Sequence, residues 1–120
     1  MESKIFAAQT EVVQMLLKEG HVTVESGWLE SFCQQWKIVS LSLFGSALRD
    51  DFGPASDIDL LVTFQQDADW NIWELGDLQD QLEAHFGRPV DLVRPENIRN
   101  PIKRKRIFET RKAIYESRQR

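Results

Sequence analysis

Two short alternating segments, residues 37–44 and 57–64, constrain this chain more than any other feature. In the first, Val39, Leu41 and Leu43 alternate with small polar residues, and in the second apolar side chains recur at every other position. A repeat of two residues is the side-chain period of a β-strand. The sequence therefore predicts two strands separated by a loop of about a dozen residues.

Helical patterns flank these strands. Apolar residues recur at helical spacing in residues 5–18 and 25–36, and again after an Asn-Ile-Trp-Glu capping pattern in residues 71–86. A basic segment at residues 101–109 follows an Asn-Pro pair, which is typical of a helix N-cap and first turn. Four helices are thus predicted around the strands.

Two further short strands, at residues 89–93 and 113–115, complete the prediction. The resulting order, α-α-β-β-α-β-α-β, predicts an α+β fold with a small mixed sheet flanked by helices. A length of 120 residues with 42% hydrophobic residues suits one domain with one core. We expect residues 1–36 to form an N-terminal helical pair within the same unit as a catalytic domain at residues 37–116.

The composition excludes several protein classes. Disordered, collagen-like and low-complexity chains have other compositions, and no apolar run approaches the roughly 20 residues of a membrane span. The first residues lack the layout of a signal peptide. Cys33 is the only cysteine, so no internal disulfide can form, which suits a reducing compartment. We expect a cytoplasmic protein that does not contact a membrane.

The charge is strongly polarised along the chain. Residues 94–120 carry ten Lys/Arg and three Asp/Glu, a net charge of +7, whereas residues 1–93 have a net charge of −11. The basic segment could face triphosphate, RNA, an acidic partner or solvent. Charge alone does not choose among them.

The candidate site begins with two aspartates at the start of the second strand. Asp57 and Asp59 are two positions apart, so their side chains project from the same face of the strand. Two like charges at the end of an apolar strand are unfavourable unless a cation neutralises them. Carboxylate oxygens suit Mg²⁺, which leaves its other positions to water and substrate phosphates.

A third acid and a glycine-serine pair extend this site. Asp91 lies within another short apolar strand, and if that strand neighbours the second one, three carboxylates share a face and can hold a pair of metal ions. Gly45 and Ser46 follow the first strand, where backbone amides and the hydroxyl can cradle phosphates. Ten residues separate this pair from Asp57.

Glycine-serine, ten residues, then Asp-x-Asp resembles the signature of the DNA polymerase β-like nucleotidyltransferase superfamily. Within this superfamily, the chain resembles the minimal nucleotidyltransferases in its short length. These proteins are encoded beside helical HEPN-domain proteins in toxin–antitoxin pairs. The resemblance covers residues 37–116. The chain departs from the common pattern at Leu48 and Asp50, while Arg49 keeps its place.

The resemblance implies an enzyme with a polymerase β-like fold. Asp57, Asp59 and Asp91 would bind Mg²⁺, with two ions expected, and Gly45 and Ser46 would bind ATP. Arg49 is a further candidate for phosphate binding. The implied activity is transfer of AMP to a tyrosine of a HEPN RNase toxin, which neutralises it within a hetero-oligomeric complex, without direct binding of nucleic acid.

Two alternatives stay open. The chain could neutralise the toxin by tight binding without catalysis, using the apolar stripe of residues 5–17 as part of the interface. It could instead transfer a nucleotide to a small molecule, although the chain is too short for an obvious substrate lobe.

Trp70 and Trp73 flank the start of a predicted helix, where we expect them to pack onto the sheet.

Overall fold

The structure is a computed structural model that describes residues 26–45 and 57–117. The described elements are, in chain order, α1 (Ser26–Gln35), β1 (Ile38–Phe44), β2 (Ile58–Phe64), α2 (Ile72–Phe86), β3 (Val90–Val93), a short 3-10 helix (Pro95–Asn97), α3 (Pro101–Thr110) and β4 (Lys112–Glu116). None of the helices in these two ranges is long and apolar enough to cross a membrane.

The four strands form one mixed sheet in the order β3-β2-β1-β4. β1 lies in the centre and pairs antiparallel with both β2 and β4, whereas β2 and β3 are parallel. The parallel pair is possible because α2 connects the two strands and returns the chain to the same edge of the sheet. The predicted α+β class and mixed sheet are confirmed.

The main core lies between the sheet and helices α1 and α2. Alternate residues of the strands point to this side, which is why the period of two was visible in the sequence. The largest fully buried side chains of this layer come from both helices and from β1, β2 and β4, and they include Leu29, Leu41, Leu43, Ile58, Leu60, Leu78, Leu82 and Ile114. This layer fixes the register of β2, and therefore which of its residues face the other side.

The opposite face of the sheet carries a smaller core and helix α3. Phe44 and Leu61 pack there with Ile98 and Ile107. Because Asp59 lies two residues before Leu61, it points to the same face. Asp59 therefore lies on the side of the sheet that carries the smaller core and faces α3.

Helix α2 has well-defined ends. The Asn71 side chain accepts a hydrogen bond from the Glu74 backbone N–H at 2.8 Å, and the Glu74 carboxylate accepts one from the Asn71 N–H at 2.9 Å. Gly87 ends the helix with a positive φ of 72°. This capping box and glycine stop were both predicted, so the helix begins and ends within a residue of the expected positions.

The two tryptophans near α2 differ from each other. The indole N–H of Trp70 donates to the Trp36 carbonyl at 2.9 Å, and the two rings meet edge to face. Trp73 is 81% exposed. The predicted packing is therefore confirmed for Trp70 and wrong for Trp73, which the first turn of α2 directs away from the sheet.

The predicted helix at residues 5–18 lies outside the described residues, whereas the helix predicted at 25–36 is found as α1. The other predicted elements are present with shifts of one or two residues at their ends. Such differences are ordinary at element termini, where terminal turns and strand ends are weakly hydrogen-bonded.

Candidate active site

Asp59 and Asp91 lie side by side on neighbouring strands. They are register partners in the parallel β2–β3 pair, where strands run about 4.8 Å apart. Both side chains project from the face that α3 covers, Asp59 half-buried and Asp91 exposed. The sequence made this meeting conditional on the two strands being neighbours, and the sheet order meets that condition.

Helix α2 holds the start of β3 in place. The Glu83 carboxylate accepts a hydrogen bond from the Val90 N–H at 3.0 Å, and the Gln79 side-chain amide donates to the Val90 carbonyl at 3.0 Å. β3 is an edge strand, so these backbone groups point away from β2 and need partners elsewhere. The two side chains therefore fix the backbone next to Asp91.

Gly45 lies directly against the Asp59 carboxylate. It follows β1, whose last residue Phe44 is the register partner of Asp59. An added Cβ at Gly45 would overlap Oδ2 of Asp59 and lie 3.3 Å from its Cγ. Gly45 also has a positive φ of 66°, a backbone conformation that residues with a side chain rarely adopt. Only glycine leaves room here for both the turn and the carboxylate.

The remaining predicted site residues are placed less completely. Asp57 is exposed and comes immediately before β2. Ser46 and Arg49, with Leu48 and Asp50, lie outside the described residues. Within residues 26–45 and 57–117, no three His, Cys, Asp or Glu side chains gather closely enough to hold a metal ion. The three-carboxylate metal site therefore stays a prediction, with Asp59 and Asp91 as the pair that the sheet brings together.

The two aspartates open into a cleft of about 880 Å³ between the sheet and α3. This volume falls within the usual range for small-molecule sites. One wall contains Gly45, Asp59 and Asp91, and the other is built from α3 residues. The residues from the helix side are Asn100, Ile102, Lys103, Arg106, Ile107 and Thr110.

The α3 wall brings positive charge to the carboxylates. Lys103 and Arg106 are three residues apart, so they lie on one side of the helix and both line the cleft. Asn100 caps the helix, its side chain accepting from the backbone N–H of Ile102 at 2.9 Å and of Lys103 at 3.3 Å. The sequence identified these cations as a charged segment but did not place two of them at the site.

The donor set suits Mg²⁺. Asp59 and Asp91 offer hard carboxylate oxygens on adjacent strands, and the lack of a side chain at Gly45 lets the backbone approach the Asp59 carboxylate closely. Mg²⁺ is commonly held by one or two carboxylates, with water and substrate phosphates completing its coordination. The residues present therefore fit such an ion, with Asp57 close by in sequence as a further candidate ligand.

Cys33 lies in the main core and His85 lies on the partly buried side of α2 against Trp28, so neither belongs to this site. Burial raises the pKa of the Cys33 thiol well above its ordinary value, so the sulfur stays protonated. His85 stacks on Trp28 with the ring centroids 3.7 Å apart. Neither residue lines the cleft, which agrees with the prediction that they are structural.

Comparison with known proteins agrees with this geometry. The sequence profile described as the nucleotidyltransferase domain matches residues 26–119. The chain belongs to this family. The predicted enzyme class, a nucleotidyltransferase, and the predicted fold are thus confirmed.

Two relatives from Methanocaldococcus jannaschii, the inferred protein adenylyltransferases MJ1379 and MJ0128, are 36% and 37% identical to the nucleotidyltransferase. The matches cover 62% and 63% of this chain, and 75% and 76% of the relatives. The similarity therefore spans most of each relative, though not the whole of this chain.

Solved structures resemble the nucleotidyltransferase over a larger share of the chain. An inferred minimal nucleotidyltransferase superimposes with a TM-score of 0.58 at 28% identity, covering 74% of this chain and 86% of that one. A toxin–antitoxin structure with AMP-PNP gives a TM-score of 0.60 at 20% identity, with coverage of 80% and 77%. A mutant of the MntA-HpeT toxin–antitoxin gives 0.57 at 20% identity, with 81% and 76%. The last two establish likeness of fold.

Proposed function

We propose that this nucleotidyltransferase is a cytoplasmic antitoxin that transfers AMP from Mg-ATP to a tyrosine hydroxyl of a HEPN RNase toxin. The observation that carries the proposal is the Asp59–Asp91 pair, with Gly45 packed against it and a cleft in front. A neighbouring pair of carboxylates beside a cleft large enough for a small molecule is the arrangement expected for phosphoryl chemistry.

The residues of the chain would act mainly by positioning and by charge. Asp59 and Asp91, with Asp57, would hold Mg²⁺, which when bound offsets the negative charge of the phosphates. The backbone at Gly45 and the Ser46 hydroxyl would orient the triphosphate. Because Gly45 lies against the Asp59 carboxylate, the carboxylates and the Gly45 backbone can act on one nucleotide.

In the transfer itself, the tyrosine oxygen forms a bond to the α-phosphorus while the bond to the β-phosphate oxygen breaks. Pyrophosphate leaves, and the phenolic proton passes to a base. Asp91 is the group we assign to accept it, because it is exposed at the edge of the sheet and faces the cleft. Holding the oxygen and phosphorus in line lowers the entropic part of the barrier.

A protein acceptor suits the open cleft. The relatives from Methanocaldococcus jannaschii are inferred protein adenylyltransferases, and two of the similar structures are toxin–antitoxin structures. The cleft is bounded by the sheet and one helix, and the described residues form no lobe above it to hold a small acceptor. A second chain that presents its own tyrosine would complete the site.

The test is co-expression of the chain with the product of the neighbouring gene, incubation with ATP and Mg²⁺, and intact mass spectrometry of the partner. We expect a mass increment of one or more AMP units on the partner. The increment should disappear in the Asp57→Asn/Asp59→Asn variant, which removes two carboxylates but keeps the size of the side chains.

Asp77→Asn/Asp80→Asn is the matched control, since it removes two exposed carboxylates of α2 and should keep full transfer. Neutralisation of the partner that survives Asp57→Asn/Asp59→Asn without any increment would favour inhibition by binding alone. Transfer of AMP to a small molecule with no increment on the partner would favour the small-molecule alternative.

A further inference from the structure

Helix α3 carries four consecutive cations, Lys103 to Arg106, that the structure divides between two surfaces. Lys103 and Arg106 line the cleft in front of Asp59 and Asp91. Arg104 and Lys105 line a separate surface next to Phe108. Because the helix turns by about 100° per residue, residues three apart share a side while their neighbours point elsewhere.

Arg104 is already engaged in the fold. Its guanidinium lies 5.0 Å from the centre of the Phe108 ring and donates a hydrogen bond to the Pro95 carbonyl. Ion pairs in the described part of the chain join Lys37 to Asp67 and Arg94 to Glu96, and neither pair involves α3. Among the residues that the structure describes, Lys103 and Arg106 therefore line the cleft without an ion pair to an acidic side chain.

A cluster of like charges on a short helix is unfavourable on its own, since cations at adjacent turns repel each other. A polyanion bound in the cleft would offset this repulsion, and the relief of the repulsion would strengthen binding of the polyanion. The opposite wall carries carboxylates, which bind the metal-coordinated part of such an anion but repel its free phosphates. The two walls are therefore complementary to different parts of one ligand.

We infer that Lys103 and Arg106 bind the β- and γ-phosphates of the nucleotide, the part that leaves as pyrophosphate. The inference rests on the proposed nucleotidyl transfer and assigns to α3 the role of a phosphate-binding wall. The fixed fork of Arg106 suits two phosphate oxygens at once, whereas Lys103 contributes a mobile point charge. The acceptor then approaches from the Asp91 side.

The assignment is tested by equilibrium binding of ATP and AMP in the presence of Mg²⁺, with the full chain and without any acceptor protein. In Lys103→Gln/Arg106→Gln, we expect ATP affinity to fall by roughly tenfold or more for each charge removed. AMP, which lacks the β- and γ-phosphates, should bind with little change. Tripolyphosphate should compete with ATP for the wild type and lose this ability in the variant.

The matched control is Lys105→Gln/Lys112→Gln, which removes two exposed cations that do not line the cleft. It should bind ATP as the wild type does. Lys103→Arg/Arg106→Lys keeps both charges and should retain most of the affinity, which separates loss of charge from loss of folding. A thermal melt of each variant accompanies the binding curves.

Two results would overturn the assignment. One is unchanged ATP affinity in Lys103→Gln/Arg106→Gln, even if transfer to the partner is lost, because the residues would then contact the acceptor. The other is an equal loss of ATP and AMP affinity, which would place them at the α-phosphate or nucleoside. If the wild type binds ATP but transfers no AMP, the proposed function fails while this assignment stands.

Discussion

The Asp59 carboxylate occupies the space that a side chain at Gly45 would need. A Cβ added to Gly45 would overlap Oδ2 of Asp59, and the positive φ of 66° at this glycine adds a separate backbone constraint. Gly87 provides the comparison, because its φ of 72° is similar and nothing lies within 4 Å of an added Cβ. Comparing the same substitution at Gly87 and at Gly45 therefore separates the cost of the backbone conformation from the cost of steric conflict with the site.

Gly87→Ala should cost about 1–2 kcal/mol of unfolding free energy, from the left-handed backbone conformation alone. Gly45→Ala should cost more, because the Asp59 carboxylate must also move, and it should reduce AMP transfer at least tenfold. Urea unfolding and transfer assays on both variants measure the two effects. Full transfer by Gly45→Ala would show that the position of the Asp59 carboxylate does not matter.

Glu83 is predicted to act on the site through β3. Glu83→Ala removes the acceptor for the buried Val90 N–H, which should cost about 1–2 kcal/mol of unfolding free energy and reduce transfer by loosening the strand that carries Asp91. Glu83→Gln keeps an oxygen acceptor and should restore most of both. Equal behaviour of the two variants in urea unfolding and transfer would contradict this role.

Cys33 should make stability fall at alkaline pH. Burial raises the pKa of its thiol in the folded state, so above about pH 8.5 the unfolded chain loses a proton that the folded chain keeps. The unfolded state is then favoured, by up to about 1.4 kcal/mol per pH unit from this group. The slope should be shallower in Cys33→Ala.

The same burial predicts that Cys33 reacts with a thiol reagent only after unfolding. The native protein at pH 8 should be modified far more slowly than the protein in denaturant. Modification of the native protein at the rate of a free thiol would contradict the buried position of Cys33.

Much of the fold could be predicted from local patterns in the sequence. The period of two in β1 and β2, the capping box at Asn71 and the stop at Gly87 are local signals, and each led to an element that the structure contains. Strand order is not local. The meeting of Asp59 with Asp91 depends on the parallel β2–β3 pairing, which the hydrophobic pattern alone does not specify.

The α3 wall shows why part of the site could not be predicted. Four consecutive cations have no helical periodicity, so the sequence does not reveal which of them face the cleft. The choice is made by tertiary packing, chiefly by Ile107 in the small core beneath the helix. The prediction for Trp73 was wrong for a related reason, since an aromatic residue at the start of a helix can point to the sheet or to solvent.

The central claim, that the Asp59–Asp91 site transfers AMP to a partner protein, is tested most directly with labelled ATP. The purified protein and its partner are incubated with Mg²⁺ and ATP that carries radioactive phosphorus at either the α- or the γ-position. Label from the α-position should appear on the partner, label from the γ-position should appear in pyrophosphate, and Asp59→Asn should give neither. Transfer of the γ-label to the partner, or no transfer of the α-label by the wild type, would contradict the account.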